Sequence, residues 1–170
     1  MLLTLLFLLT GCNQSKISNN PVEEFIEPDT QLYVELMPAI REYFYLRKQA
    51  VLLNDSTTFY ENYPDLLKDV DLAKGINAET KFFEYTHSQK PFDGNILPDF
   101  YERMAVKQNE NETQVLLHGI ELYLWKNIHS EYDEFGGEFK IILFLRQQDD
   151  RWQIFKTDEV TLDEWKSIQP

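Results

Sequence analysis

The apolar residues of this chain change period once, near residue 100, and that switch dictates how its layers can pack. Before it, Leu32, Leu36, Ala39, Tyr43, Leu46, Ala50 and Leu53 recur at alternating steps of four and three, which is one face of a helix. After it, apolar residues crowd onto strands. Val115 to Trp125 reads as one long strand, with Leu116, Ile120, Leu122 and Leu124 interleaved with Val115, Leu117, Tyr123 and Trp125. Phe139, Ile141, Leu143 and Leu145 line one face of the next strand, and Ile142 and Phe144 the other. Helices first and antiparallel strands after them predict an α+β fold: amino-terminal helices packed on a curved antiparallel sheet of three to four strands. Apolar residues on both strand faces imply that the side away from the helices is covered or self-associated.

Turn and cap residues set the boundaries. Asp29-Thr30 is a helix-cap pair, so a single domain runs from 29 to 170, and a length of 170 residues fits one domain. Pro38 predicts a kink or a late start in the first helix. Asn54-Asp55-Ser56 breaks that helix, Ser56 caps a second one through Tyr63, and Pro64 ends it. Residues 65 to 76 read as irregular, and Asn77 as the cap of a third helix to about Thr86. Pro91 to Pro98, carrying Asp93-Gly94, reads as a loop, and Phe100 to Lys107 as a strand. Residues 109 to 112 form a turn, Gly119 marks a bend or bulge, and Asn127 to Glu134 is a polar loop. Gly136-Gly137 is a turn signal and Asp149-Asp150 a tight hairpin. Trp152, Ile154 and Phe155 begin the last strand, and Thr161 to Ile168 adds a turn of helix.

The amino terminus reads MLLTLLFLLTG, then the single Cys of the chain. The apolar block is too short to span a bilayer, which takes ~20 residues, and fits the ~7–15 of a signal-peptide core. Leu9-Thr10-Gly11-Cys12 resembles the bacterial lipobox: an aliphatic residue, two small residues that let the peptidase approach, and a thiol that takes a diacylglycerol group. That resemblance implies a signal peptide at 1–11, a lipidated Cys12 with a flexible linker at 12–28, and anchoring outside the cytoplasmic membrane. Two or more acyl chains hold a protein stably on a bilayer. Asn13 is not the Asp of an inner-membrane retention signal, so the outer membrane of a double-membrane bacterium stays open. Nothing basic precedes Cys12 except the α-amino group, which points to a true start upstream of Met1.

Sixteen Lys and Arg against 29 Asp and Glu give a formal charge of −13 and a sequence pI near 4.6. No basic patch is visible, which argues against nucleic acid as a partner. Element order, the bent long strand and the aromatic richness resemble the cone fold of ketosteroid isomerase, scytalone dehydratase and nuclear transport factor two, over about residues 30 to 160. The resemblance implies a conical pocket between helices and sheet for a small apolar ligand.

The chemistry-bearing residues are few. His87, His118 and His129 have no metal spacing, and no cofactor motif is present. His118 alternates with Leu116 and Ile120, so it is either a sheet histidine held by one hydrogen bond or a proton acceptor facing a pocket. Glu121, three residues on, faces the other way. The aromatics Tyr43, Phe44, Tyr45, Phe59, Tyr60, Tyr63, Phe82, Phe83 and Tyr85 read as core, with Tyr43 and Phe83 as candidate walls of a ligand cavity. The acidic run Glu131-Tyr132-Asp133-Glu134 lacks the pattern of a calcium loop and reads as solvated. No G-x-S-x-G marks a serine nucleophile, and with Cys12 consumed by lipid, cysteine catalysis is out. The reading is a lipid-anchored extracytoplasmic binding or interaction module without catalysis, with no cofactor and no metal. Its partners are the membrane, through the lipid, and a small apolar ligand or an envelope protein. Two rivals stand beside it. One is a small-ligand enzyme of the isomerase or dehydratase type. The other is an envelope protein that pairs through its sheet, for which Phe144→Asp should abolish dimers while sparing the fold.

Overall fold

A computed structural model describes residues 25–98, 104–127 and 129–159. The signal-peptide and lipobox residues with Cys12, most of the linker, and the carboxy-terminal turn at 161–168 lie outside the described residues. No helix among the described residues is long and apolar enough to cross a membrane. The fold is α+β, with helices on one face of a five-stranded antiparallel sheet.

Helix α1 (Thr30–Leu53) begins where the cap residues predict, and the Asp29 carboxylate accepts the Leu32 N–H at 2.8 Å. It starts before Pro38 and runs through it, so the late start is overturned. The proline ring denies the Val34 carbonyl its helical donor, and Val34 lies on the exposed side of the helix. Asn54 ends the helix in the left-handed conformation (φ 53°). The buried face is turned from the expected one: Leu36, Met37, Ile40, Tyr43, Phe44, Arg47, Ala50 and Val51 point inward, and Leu53 is 69 % exposed. The reading missed this because Arg47, at the centre of the stripe, is charged.

Helix α2 (Thr57–Asn62) is followed by a short 3₁₀ turn at Pro64–Leu67, and α3 spans Glu79–Gln89. Neither predicted cap acts as one. Asp55, not Ser56, accepts the Thr57 N–H. Asn77 donates its amide to the Lys68 carbonyl at 2.7 Å and accepts the Thr157 N–H at 2.8 Å. It ties the loop before α3 to the last strand.

The strands are β1 (Asp93–Pro98), β2 (Ala105–Gln108), β3 (Thr113–Lys126), β4 (Tyr132–Gln148) and β5 (Arg151–Glu159), in the order β1-β3-β4-β5. β2 pairs with the edge of β3 that β1 also uses, against residues 113 to 116. Ile26, just ahead of α1, bridges to Val106 of β2. The loop expected at 91 to 98 is β1, paired with β3 from Asp93↔Leu124 to Pro98↔Gly119. Gly136-Gly137 is not a turn: it lies inside β4, opposite Leu122 and Glu121. The turn sits earlier, where the Asn127 side chain accepts the N–H groups of His129 and Glu131. That leaves Tyr132, Asp133 and Glu134 as strand rather than loop. Gly136 has φ +124°, and a Cβ there would collide with the Glu121 carbonyl, so the glycine belongs to the β3–β4 ladder and not to a hairpin. Gly119 carries no bulge. Its ladder to Phe139 is in register, and the missing side chain makes room for the Phe139 ring. The register shift is between Phe144 and Leu145, against β5. Asp149 and Asp150, with φ 52° and 59°, form the predicted hairpin.

Odd-numbered residues of β3 face the helices, with Val115, Leu117 and Tyr123 buried against Ile141, Leu143 and Leu145 of β4. Even-numbered residues face away, and there Ile120 (44 % exposed), Leu122 and Leu97 leave apolar surface in water.

Candidate functional site

Four elements bring polar side chains into the interior between helices and sheet. Helix α1 supplies Tyr43 and Arg47, one turn apart on its buried face. Helix α3 supplies Glu79 and Phe82. Strand β3 supplies Glu121 and Tyr123, and β5 supplies Thr157 and Glu159, each pair two residues apart and so on one face.

Arg47 is the hub, and it is 1 % exposed. Its Nη2 donates to both Glu159 oxygens at 3.1 and 3.2 Å, and its Nη1 donates to the Tyr43 hydroxyl at 3.2 Å. The Glu121 carboxylate lies 3.9 Å away, an ion pair without a hydrogen bond. The guanidinium carbon sits 3.8 Å from the centroid of the Phe82 ring, a cation–π contact in a dry setting. The Tyr43 hydroxyl in turn donates to Glu79 Oε1 at 2.9 Å, and the Thr157 hydroxyl donates to the same oxygen at 2.6 Å. Tyr123 stacks on Phe135 at 5.4 Å.

Burial governs the proton affinities. Loss of water pushes the Glu121 carboxyl up to about 7; Arg47 opposes this and Glu159 adds to it. Burial also raises Glu79, against the Thr157 hydrogen bond and the Arg47 charge. Burial works against the Arg47 charge, but Glu159, Tyr43, Glu121 and Glu79 outweigh it and keep the guanidinium protonated. The tyrosines Tyr43 and Tyr123 are both raised, first by burial. Around one guanidinium the fold therefore holds three carboxylates, two of which resist ionisation. No cluster of His, Cys, Asp or Glu suited to a metal ion occurs among the described residues.

Of the residues singled out in the sequence, the structure places Tyr43 in this network. Phe83 is core, edge-on to Phe59 at 5.1 Å and stacked with His87 at 5.8 Å. His118 is on the opposite sheet face, with its Nε2 3.4 Å from Glu138, and the structure does not bring it together with Tyr43 and Phe83. Sequence reasoning missed Arg47, Glu79, Glu121, Tyr123, Thr157 and Glu159. Two signals were present. Arg47 is in phase with Leu36, Ile40, Tyr43 and Ala50, and Glu121 is in phase with Val115, Leu117 and Tyr123. Glu121 lies on the face opposite His118, as the strand alternation predicts, and of the two readings of His118 the structure shows the sheet histidine, beside Glu138.

A concavity of about 510 Å³ lies away from this network, between the amino-terminal half of α1 and the β4–β5 hairpin, beside Glu35, Pro38, Glu42, Asp150, Arg151 and Trp152. It is open to water, and no buried polar atom in its lining lacks a partner.

No protein-family model matches the chain, and no curated protein matches it. Solved structures do. An NTF2-like family protein from Streptomyces avermitilis is 12 % identical over 74 % of this chain and 97 % of its own, with a TM-score of 0.46. The intermembrane space region of the chloroplast protein ARC6 is 9 % identical over 79 % of this chain and 98 % of its own, with a TM-score of 0.43. At these values the likeness is one of general chain path and says nothing about chemistry.

Proposed function

We propose that the chain is a lipid-anchored extracytoplasmic module that binds a small molecule at the Arg47–Glu121–Glu159 end of its interior, without catalysis. One observation carries the binding. Arg47 Nε, Glu79 Oε2 and the Tyr123 hydroxyl are buried with no hydrogen-bond partner among the described residues. Folded proteins pair nearly all such atoms, with water or a ligand where the protein supplies nothing. The side chains of Glu121 and Glu159, 14 % and 21 % exposed, open this end to solvent. Support for the anchor is the lipobox at Leu9 to Cys12.

One preparation tests both parts. The full chain extracted from membranes should carry a diacylglyceryl mass on Cys12, lost in Cys12→Ala, and its native mass should exceed its denatured mass by that of the ligand. An unmodified Cys12 would overturn the anchor. Equal masses would overturn the binding.

The isomerase- or dehydratase-type alternative draws on Glu121, a buried carboxyl poised near neutrality two residues from an unpartnered phenol. Turnover of the bound species, lost in Glu121→Gln, would make the binder an enzyme. The self-association alternative draws on the apolar outer face at Leu97, Ile120 and Leu122. Phe144 is the wrong probe for it: that ring is only 9 % exposed and lies under Lys156 and beside Phe155. Ile120→Lys lies opposite Glu138, an opposite charge, and on the more exposed face, so it should change stability by about 0.5 kcal/mol or less. If the face joins two copies, the sedimenting mass of this variant falls by half; an unchanged profile excludes pairing there.

A further inference from the structure

We infer that the molecule bound at this end of the interior is an organic cation, a small protonated amine on an apolar body. The inference rests on the binding reading above and names its ligand class. Charge balance leads to it. Facing one another are a single cation, Arg47 of α1, and three carboxylates: Glu79 of α3, Glu121 of β3 and Glu159 of β5. Tyr43, Thr157 and Tyr123 add neutral hydroxyls. Strands β1 and β4 bring Ile96 and Gly137 opposite Glu121, neither of them titratable. The group is thus short of positive charge whenever its carboxylates ionise.

The hydrogen-bond inventory points the same way. Arg47 spends one Nη1 hydrogen on Tyr43 and both Nη2 hydrogens on Glu159, so its Nε–H and one Nη1 hydrogen are left for an acceptor. Glu121 accepts no hydrogen bond among the described residues, and its nearest cation is 3.9 Å away. Glu79 Oε2, fully buried, is a further acceptor without a donor. With the carboxylates ionised, the open lone pairs of Glu121 and Glu79 Oε2 outnumber the open N–H and O–H groups of Arg47 and Tyr123, and an ammonium group brings up to three donors on a point charge. The Tyr123 hydroxyl, two residues along from Glu121 on the same face, can hydrogen-bond a polar atom beside the amine. A metal ion does not fit, since the acidic residues do not converge as ligands. Around the group stand the rings of Phe82, Tyr123 and Phe135, surfaces suited to the apolar body of such a cation. In the absence of the amine, protons on Glu121 and Glu79 offset the missing charge. Amine and proton then compete, and binding tightens as pH rises through the titration of Glu121.

The test compares three probes that share one apolar body: phenethylammonium, 2-phenylethanol and phenylacetate. Each is titrated into the full Cys12→Ala chain by calorimetry at about pH 8 and about pH 5.5. The inference predicts that the ammonium binds at least about tenfold tighter than the alcohol. It also predicts no detectable phenylacetate binding and a loss of ammonium affinity at the lower pH. Glu121→Gln should abolish the preference, while Glu138→Gln on the outer face should leave it intact. Equal or tighter binding of the alcohol or the carboxylate overturns the cation assignment and leaves the binding reading standing. Ammonium binding that survives Glu121→Gln also overturns it, because a chain of charge −13 condenses cations on its surface. Failure of all three probes overturns the assignment too, and the native-mass measurement then decides the binding reading on its own.

Discussion

Replacing Arg47 by Met is expected to destabilise the domain by about 3–5 kcal/mol, the largest loss of any single substitution in this interior. Methionine keeps much of the apolar stem but loses the guanidinium that lies over the Phe82 ring. What disappears is the charge that faces Glu159 at 3.1 Å and Glu121 at 3.9 Å, and the donor to the Tyr43 hydroxyl. Two carboxylates then share a poorly hydrated space with no cation. Arg47→Lys should fall between wild type and Met. A single ammonium cannot reach the Glu159 carboxylate and the Tyr43 hydroxyl with the fixed spacing of a guanidinium, or lie flat on the Phe82 ring. Urea denaturation of the full Cys12→Ala chain measures these differences. A triple change, Arg47→Met with Glu121→Gln and Glu159→Gln, should recover most of the loss, because it removes the buried charges together. A loss under about 1 kcal/mol in Arg47→Met alone would show that the network is ornamental to stability.

The second large effect is on pH. The Glu121 carboxyl ionises at about 7 in the folded chain, against an ordinary value of 4.5. Between those values the folded state holds a proton that the unfolded state has lost, so stability falls as pH rises. The contribution is fully present below about 4.5 and gone above about 7. From the size of the shift it amounts to on the order of 3 kcal/mol. Glu79, also raised by burial, acts in the same direction. Asp65 acts in the opposite one. Lys68 and Arg146 hold its carboxyl below the ordinary range, so its contribution is present above that range and is lost in acid. The domain should therefore be most stable at mildly acidic pH. Glu121→Gln should flatten the fall between about pH 5 and 8, and leave the variant more stable than wild type at the upper end. A wild-type stability that is level across that range would refute the assignment of a protonated Glu121.

These two predictions concern residues that reading along the chain passed over, and the reasons are physical. Helix and strand periods depend on which neighbours of i, i+2, i+3 or i+4 are apolar, and that is visible in the order of residues. The α+β plan was legible for this reason, as were the start of α1 at Thr30, the long strand at 113 to 126 and the Asp149-Asp150 hairpin. The same logic failed where a residue type carries two meanings. Gly136-Gly137 and Asp93-Gly94 belong equally to turns and to strand positions pressed against another backbone or ring. Their neighbours across the sheet, Glu121, Leu122 and Tyr123, decide between the two. Proline within the first three turns of a helix is tolerated where its unpaired carbonyl lies on the exposed side, and only the packing of α1 shows that Val34 is on that side.

Local order along the chain was enough to determine an α+β plan, helices before strands, because period, capping and turn chemistry are properties of residues close together in sequence. Which sheet face is inner was a different matter. Glu121 and His118 sit on opposite faces of β3, and nothing in their own strand says which face the helices cover. That was decided when Arg47, 74 residues before Glu121 and 112 before Glu159, was buried at the centre of the α1 face. A charge can be placed there only if carboxylates from α3, β3 and β5 meet it. The cost of burying it alone, and the attraction that offsets that cost, both depend on distances that exist only in the folded chain.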